Sequence, residues 1–379
     1  MTDIDIPFNR PAVVGDEWRY MQEATAAGRL SGDGPFSRRC QALLEEELGA
    51  ARVLLTTSCT HALEMSALLL DLGPGDEVII PSFTFVSTVN AFVLRGARPV
   101  FADIRADTLN LDERQLARLI GPRTRAIVPV HYAGVACDMT EIMRLAGENG
   151  IAVVEDNAHG LFGRLHGRKL GTFGCLAALS FHETKNVSCG EGGALILNDA
   201  RLVERAEIVR EKGTNRSQFF RGMVDKYTWV DVGSSYLPSD LLAAWLLAQL
   251  EARDRIQAAR RRIWERYERE LAGWAAASGT RLPVVPAGCQ QPHHLFHLLL
   301  PSLAARQGLI AHLRQRGILA VFHYGPLHLS SYARQIGAGG GDCPVAADAA
   351  DRLLRLPLFY DLTAADQARV IAAVQEFRP

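Results

Sequence analysis

The chain has 379 residues, with 41 Lys+Arg against 42 Asp+Glu and a formal net charge of -1. Hydrophobic residues make up 48% and charged ones 22%, which excludes a disordered chain, and the balanced charge gives no footprint for nucleic acid. The length exceeds what one hydrophobic core usually serves, so two domains are expected.

The start, MTDIDIPFNRP, is acidic and lacks an apolar leader, so no signal peptide is expected. Two uncharged runs, 78–94 and 282–305, are interrupted by polar residues and prolines and read as strands and loops, not membrane helices. Seven scattered cysteines give no disulfide framework. A soluble cytoplasmic protein without membrane or nucleic-acid partners is the expectation.

In chain order, an N-terminal arm leads to a helix over Phe36–Leu48, where Phe36, Cys40, Leu44 and Leu48 recur at helical spacing. Short apolar runs then alternate with helical ones. Arg52–Leu55 reads as a strand and Thr60–Leu70 as a helix. Strands at Glu77–Pro81, Pro99–Ile104, Ala126–His131 and Ile151–Glu155 follow, with a helix over Met139–Glu148. Two further β stretches, Cys175–Phe181 and Gly193–Asn198, lack a crossover helix between them, which suggests a mixed sheet. From Ser239 to about Leu271 a long helical pattern reads as a helix pair bridging two domains. A Pro-rich connector, a strand at Leu295–Leu300, a helix over Leu303–Arg316, a strand at Ala320–His323 and a tail helix over Ala364–Phe377 complete the order. This is an α/β layout: a mixed, mostly parallel sheet sandwiched by helices, with a smaller C-terminal α/β domain.

Several motifs carry little. Gly190-Glu191-Gly192-Gly193 lacks the GxGxxG spacing of a dinucleotide fingerprint, and no P-loop occurs. His293, His294 and His297 lack metal-binding spacing, and a strand there would turn His294 away from the other two. Arg210, Lys212, Arg216 and Arg221 form a basic stretch, read either as a solvated face or as a site for phosphate or carboxylate.

Four places fall at predicted C-terminal strand ends, where α/β proteins bind ligands. Thr57-Ser58-Cys59-Thr60 sits between a strand and a helix; it is either a plain N-cap or an anion site made of free backbone N–H groups. In Glu155-Asp156-Asn157-Ala158-His159 a carboxylate is a metal ligand, a base or the partner of a protonated ring nitrogen, and His159 follows three residues later. Lys185, in Ser180-Phe181-His182-Glu183-Thr184-Lys185, is a Schiff-base candidate or an exposed loop lysine. Pro81-Ser82-Phe83-Thr84-Phe85 offers an aromatic face to a planar cofactor.

In this order, the stretches TTSCTHALEMSALLL, PSFTFVSTVNAFVLRGA, VPVHYAGVACDM, VVEDNAHG, SFHETKN, GEGGA, REKGTNRSQFFRG and KYTWVDVGSSYLPSD resemble the fold-type I, pyridoxal-phosphate-dependent sugar aminotransferases of the DegT type. The resemblance runs from IPFNRP to RLLRLPLFY. It implies a large cofactor-binding domain over 1–245, and bridging helices with a small domain over 246–379. It implies pyridoxal 5'-phosphate as cofactor, joined covalently to Lys185, with Asp156 paired to the pyridine nitrogen. It places His159 near the 3-hydroxyl, Phe85 on the ring face, and Ser180 with Cys59, Thr60 and His61 around the phosphate. The family usually has Gly or Ala where Cys59 stands. A partner-subunit Asn that reaches the phosphate in relatives is replaced here by Ser235, and that cross-subunit role implies a homodimer with shared active sites.

The implied reaction takes an amine from L-glutamate, released as 2-oxoglutarate, and gives it to a nucleotide-diphosphate keto sugar. The resemblance points to dTDP-4-dehydro-6-deoxy-D-glucose and to dTDP-4-amino-4,6-dideoxy-D-galactose as product. Amination at C3 or with the opposite C4 configuration stays open, as does a non-catalytic binding protein on the same fold. A NAD-dependent oxidoreductase would need the glycine fingerprint that is missing.

Overall fold

The computed structural model describes residues 4–379; residues 1–3, part of the acidic start, lie outside the described residues. Seven strands form the main sheet, in the spatial order Arg52–Thr56, Gly193–Leu197, Leu176–Ser180, Ala152–Asp156, Thr124–Ile127, Glu77–Pro81, Arg98–Ala102. The last five are mutually parallel, whereas Gly193–Leu197 runs antiparallel to both its neighbours. The sheet is therefore mixed and mostly parallel, as the missing crossover helix before Gly193 implied.

The strands are apolar throughout because both faces are covered. Alternation sends Leu54, Leu195 and Ala178 to a layer under the helices Cys59–Leu69 and Val203–Arg210. Their neighbours Val53, Leu55, Leu179 and Ile196 face the helices Pro35–Leu48 and Asp240–Glu251. Helix Pro35–Leu48 starts on a proline at its first turn and ends at Gly49, whose φ of 70° suits only a residue without a Cβ penalty. The buried Asp240 carboxylate accepts from Ser37 N–H and Ser37 Oγ, both at 2.7 Å, and so ties the two helices of this face together.

The long helical pattern resolves into Asp240–Glu251 and Arg253–Ser278, separated at Ala252. Trp264, Tyr267, Leu271 and Trp274 of the second helix pack in another apolar layer with Phe296, Leu298, Leu354 and Leu356. Those last four come from a three-stranded antiparallel sheet ordered Phe296–Leu299, Leu353–Leu356, Val321–Phe322. Helices Leu303–Gln315 and Ala364–Glu376 complete that layer.

Two differences from the sequence reading bear on function. The strand expected over Ala126–His131 is Thr124–Ile127; beyond it Pro129 offers no N–H, and the chain keeps only a single bridge, Val130 to Asp156. Helix Val86–Val93 was not anticipated, because its valines and threonine favour strands until tertiary packing decides. No helix among the described residues is long and apolar enough to cross a membrane.

Candidate active site

Strands Arg52–Thr56, Glu77–Pro81, Ala152–Asp156 and Leu176–Ser180 all point their C-terminal ends to one edge of the main sheet. A cavity of about 720 Å³ opens there, a size that suits a cofactor with part of a substrate. Cys59, Thr60, Phe85, Asp156, His159, Ser180 and Lys185 all line it. Residues that lie apart in sequence thus meet in one place.

The floor is the start of helix Cys59–Leu69. Ser58 is extended, and its Oγ accepts from His61 N–H at 3.1 Å. The N–H groups of Cys59 and Thr60 have no acceptor among the described residues. Ser58 is thus an N-cap, and the two free N–H groups beside it form an anion site at a helix terminus. Gly193 makes the close approach possible. A Cβ at Gly193 would lie 2.3 Å from the Ser58 carbonyl carbon and 2.4 Å from Cys59 N, both backbone atoms that cannot yield. The glycine run rejected as a dinucleotide fingerprint therefore serves to seat this helix.

Two expected cofactor residues lie outside the lining of this chain's own cavity, which a cross-subunit role for Ser235 requires and a role for His61 does not. The His61 imidazole turns to the Thr57 hydroxyl and the Tyr236 ring, 5.1 Å away, and does not line the cavity. Its N–H is already used by Ser58. Ser235 is exposed outside the cavity lining, in a short bridge with Glu211.

Asp156 ends its strand inside the cavity. Thr88 Oγ1 donates to its Oδ2 at 2.7 Å, and Ala158 N–H to its Oδ1 at 3.1 Å. Thr84 in turn meets Thr88 at 2.8 Å. Burial pushes the Asp156 carboxyl above its usual value, against the pull of these donors and of Lys185. The pairing with a ring nitrogen that the resemblance implies would push it the other way. That direction requires a cation paired to the carboxylate; in the protein alone, desolvation wins. A buried carboxylate of this kind is a strong acceptor for a protonated ring nitrogen.

The adjacent Glu155 points to the other side of the strand and has a different task. Its Oε1 accepts from Phe173 N–H at 2.6 Å and Gly174 N–H at 2.8 Å; its Oε2 accepts from Gly171 N–H at 2.8 Å and meets His131 Nε2 at 2.9 Å. Four donors fix the turn before Leu176–Ser180 against the strand that carries Asp156.

Lys185 is half-buried, lines the cavity and forms no hydrogen bond through its Nζ among the described residues. Burial pushes its amine down to about 8; Cys59 and Asp156 oppose this and Arg355 adds to it. An amine in that range is partly neutral at physiological pH and therefore nucleophilic. The exposed-lysine alternative is thereby excluded. Burial pushes the Cys59 thiol up, so it stays protonated.

His159 accepts from Ala133 N–H at its Nδ1, 3.3 Å away, which puts the proton of the neutral ring on Nε2. Burial holds it neutral, well below its ordinary value. His294 lies 4.3 Å from it, ring to ring. The Asn186 amide group donates to Gln257 and Pro292, so its oxygen receives the His294 Nδ1 proton at 2.8 Å. The expected alternation of the 293–297 histidines fails because His293 has a φ of 54° and the strand begins only at Phe296. His294 and His297 consequently both approach the cluster around Tyr132 and His159.

Sequence reasoning also missed Thr88, His323, Tyr324 and Arg355, all of which line the cavity. Thr88 was accessible in principle, one helical turn beyond Phe85. The other three come from the second sheet and its loop. The Tyr324 ring lies 6.2 Å from that of Phe85, which is 56% exposed at the rim. Three of the four basic residues are committed elsewhere, Arg210 with Asp33, Arg216 with Glu211 and Arg221 with Glu207, while Lys212 is exposed and forms no ion pair among the described residues.

The site fits pyridoxal phosphate on three counts: free N–H groups with the Ser180 hydroxyl for a phosphate, a buried carboxylate for a ring cation, and an unpartnered amine for a carbonyl carbon. A family model, the DegT/DnrJ/EryC1/StrS aminotransferase family, matches residues 12–375. The chain belongs to this family. Its fold is shared by the aminotransferase TlmJ of Streptoalloteichus hindustanus, at 33% identity over 99% of this chain and 98% of that one, with a TM-score of 0.89. DesV of S. venezuelae is 32% identical over 99% and 98%, with a TM-score of 0.88. The putative sugar aminotransferase Spr1654 of Streptococcus pneumoniae, solved in a PLP-form, is 25% identical over 98% and 97%, with a TM-score of 0.90. The family member described here is a pyridoxal-phosphate-dependent aminotransferase.

The depressed Lys185 value predicts how fast this cofactor attaches. The attachment rate of the aminotransferase chain should be half-maximal near pH 8. At neutral pH it should exceed that of an ordinary lysine by about 300-fold, the ratio of neutral amine fractions. Stopped-flow absorbance from mildly acid to alkaline pH measures this. A midpoint near the ordinary 10.5 would contradict the burial argument.

Proposed function

We propose that this aminotransferase transfers an amine from L-glutamate to a nucleotide-diphosphate-linked 4-keto-6-deoxy sugar. The observation that carries the reading is Lys185 and Asp156 facing one cavity, with a rim of hydroxyl and imidazole groups suited to sugar hydroxyls. When bound, pyridoxal phosphate supplies an electron sink for the carbon that bears the amine. Asp156 keeps a proton on the ring nitrogen. The Lys185 amine takes the proton from the donor Cα and later delivers one to sugar C4. His159 donates its Nε2 proton beside the ring. Cys59 and Thr60 N–H groups with Ser180 hold the phosphate.

The narrow reading is dTDP-4-dehydro-6-deoxy-D-glucose as acceptor and dTDP-4-amino-4,6-dideoxy-D-galactose as product, the reaction of the transaminase used in enterobacterial common antigen synthesis. Its support is the REKGTNRSQFFRG to SSYLPSD stretch. The same reading divides the chain into 1–245 and 246–379 and makes it a homodimer, with Ser235 reaching the partner's phosphate site. The exposed Phe220, Met223 and Trp229, on the same segment as Ser235, favour an association surface there.

The test is to incubate the purified protein with pyridoxal phosphate, L-glutamate and the dTDP-keto sugar, and to identify the product by NMR. An axial amine at C4 is expected. An equatorial amine, amination at C3, or no product would overturn the narrow assignment.

A further inference from the structure

The carbonyl of Pro292 fixes the polarity of a side chain in the cavity. A carbonyl only accepts, so the Asn186 Nδ2 group must be what faces it, at 2.7 Å. Gln257 Nε2 donates to the same carbonyl at 3.1 Å, which leaves Gln257 Oε1 to take the second Asn186 proton at 2.9 Å. Asn186 Oδ1 is thereby the acceptor for the His294 Nδ1 proton at 2.8 Å. Burial holds the His294 ring neutral, so its single N–H is spent there and Nε2 carries a lone pair.

That Nε2 meets no hydrogen-bond partner among the described residues. Unlike His297 Nδ1 it is not sealed in the interior, and His294 lines the cavity. The neighbouring imidazoles do not duplicate it. His159 has the opposite polarity, since its Nδ1 takes the Ala133 N–H and its Nε2 is a donor. His323 shares a 3.0 Å contact with the Tyr132 hydroxyl in which either group can donate, so its polarity is free to follow a ligand. Of these three rings only His294 is fixed as an acceptor. The residue that fixes it, Asn186, directly follows Lys185, so one loop holds both the lone pair and the reacting amine.

We propose that His294 reads the C3 hydroxyl of the acceptor sugar, and that Asn186 is the positioning residue that keeps His294 in its accepting form. This rests on the keto-sugar reading above and names a residue that tells the second substrate from the first. The cavity must take two substrates in turn. Once the amine of glutamate is engaged, its two carboxylates offer only lone pairs, which Nε2 repels. In a 4-keto-6-deoxy sugar the carbons beside C4 differ: C5 carries a methyl group and the ring oxygen, neither a donor, and C3 carries a hydroxyl. That hydroxyl is the donor nearest the reacting carbon. A neutral acceptor thus distinguishes a hydroxyl from a carboxylate, and it is left buried and unpaired when the hydroxyl is missing.

The holoprotein with L-glutamate is given dTDP-4-dehydro-6-deoxy-D-glucose or the same sugar nucleotide without its C3 hydroxyl, and kcat/KM is measured for each. The wild type should prefer the hydroxyl-bearing sugar by about 100-fold, the loss of one hydrogen bond with its acceptor left unpaired. His294→Phe keeps a flat ring against His159 and removes the acceptor, so the preference should fall below about 3-fold, the loss falling on the hydroxyl-bearing sugar. His294→Gln, whose amide oxygen can take the place of Nε2, should retain at least about 10-fold. Asn186→Ala frees the His294 proton to move between nitrogens and should fall between the two. The preference is a ratio within each variant, so a general loss of activity or of folded protein does not move it. A wild-type preference below about 3-fold, or one that survives His294→Phe, would overturn the proposal. A wild type that reacts with glutamate but aminates neither sugar would instead remove the keto-sugar reading, and the proposal with it.

Discussion

Replacing Lys185 by alanine should lower the single-turnover rate with L-glutamate at least about 10⁴-fold, since one group provides both covalent attachment and proton transfer. The amine lines the cavity and makes no hydrogen bond among the described residues, so the variant should melt close to the wild type. The small cavity that remains opens into the existing pocket. Supplying a small primary amine in solution should restore part of the rate, because it can shuttle the same proton. Retention of multiple turnover by the variant, without added amine, would remove Lys185 from the chemistry.

Asp156→Asn is the second large effect. Asparagine keeps one of the two oxygens, which can still accept from Ala158 N–H, while its NH2 faces the Thr88 hydroxyl, which can turn to accept, so the shape of the site is preserved. It cannot stabilise a protonated ring nitrogen. Loss of a buried charge partner costs about 3–5 kcal/mol, or roughly 10²- to 10⁴-fold in the rate of proton removal. The effect should fall on rates of both half-reactions, with cofactor retained. Single-turnover absorbance with glutamate measures it; a change below about 3-fold would mean that Asp156 is not the ring's partner. Thr88→Val isolates the positioning contribution and should act in the same direction by a smaller amount.

Much of the main sheet was visible in the sequence because strands buried on both faces appear as unbroken apolar runs, as in Val53-Leu54-Leu55. Helix Pro35–Leu48 announced itself by the spacing of Phe36, Cys40, Leu44 and Leu48. Lys185 and Asp156 were each ambiguous alone. Only their order among neighbouring motifs made them informative, and the fold then brings them to one cavity. The other wall was hidden. His323, Tyr324 and Arg355 arrive from a second sheet more than a hundred residues later, and no local period links them to Lys185. His294 was misjudged because one left-handed residue, His293, delays the strand and resets the alternation. The direction at Asp156 depends on its partner: pairing with a ring cation would pull it down, whereas the chain by itself offers mainly desolvation.

The seat that Gly193 provides for Ser58 and Cys59 has a practical consequence for engineering. A mutant library aimed at altered cofactors or substrates can vary Cys59, a half-buried residue at the edge of the cavity. It gains nothing from varying Gly193, where the first added carbon would meet two backbone atoms and lift the helix terminus away from any phosphate. Two positions that touch each other across the chain therefore differ in how much change they tolerate.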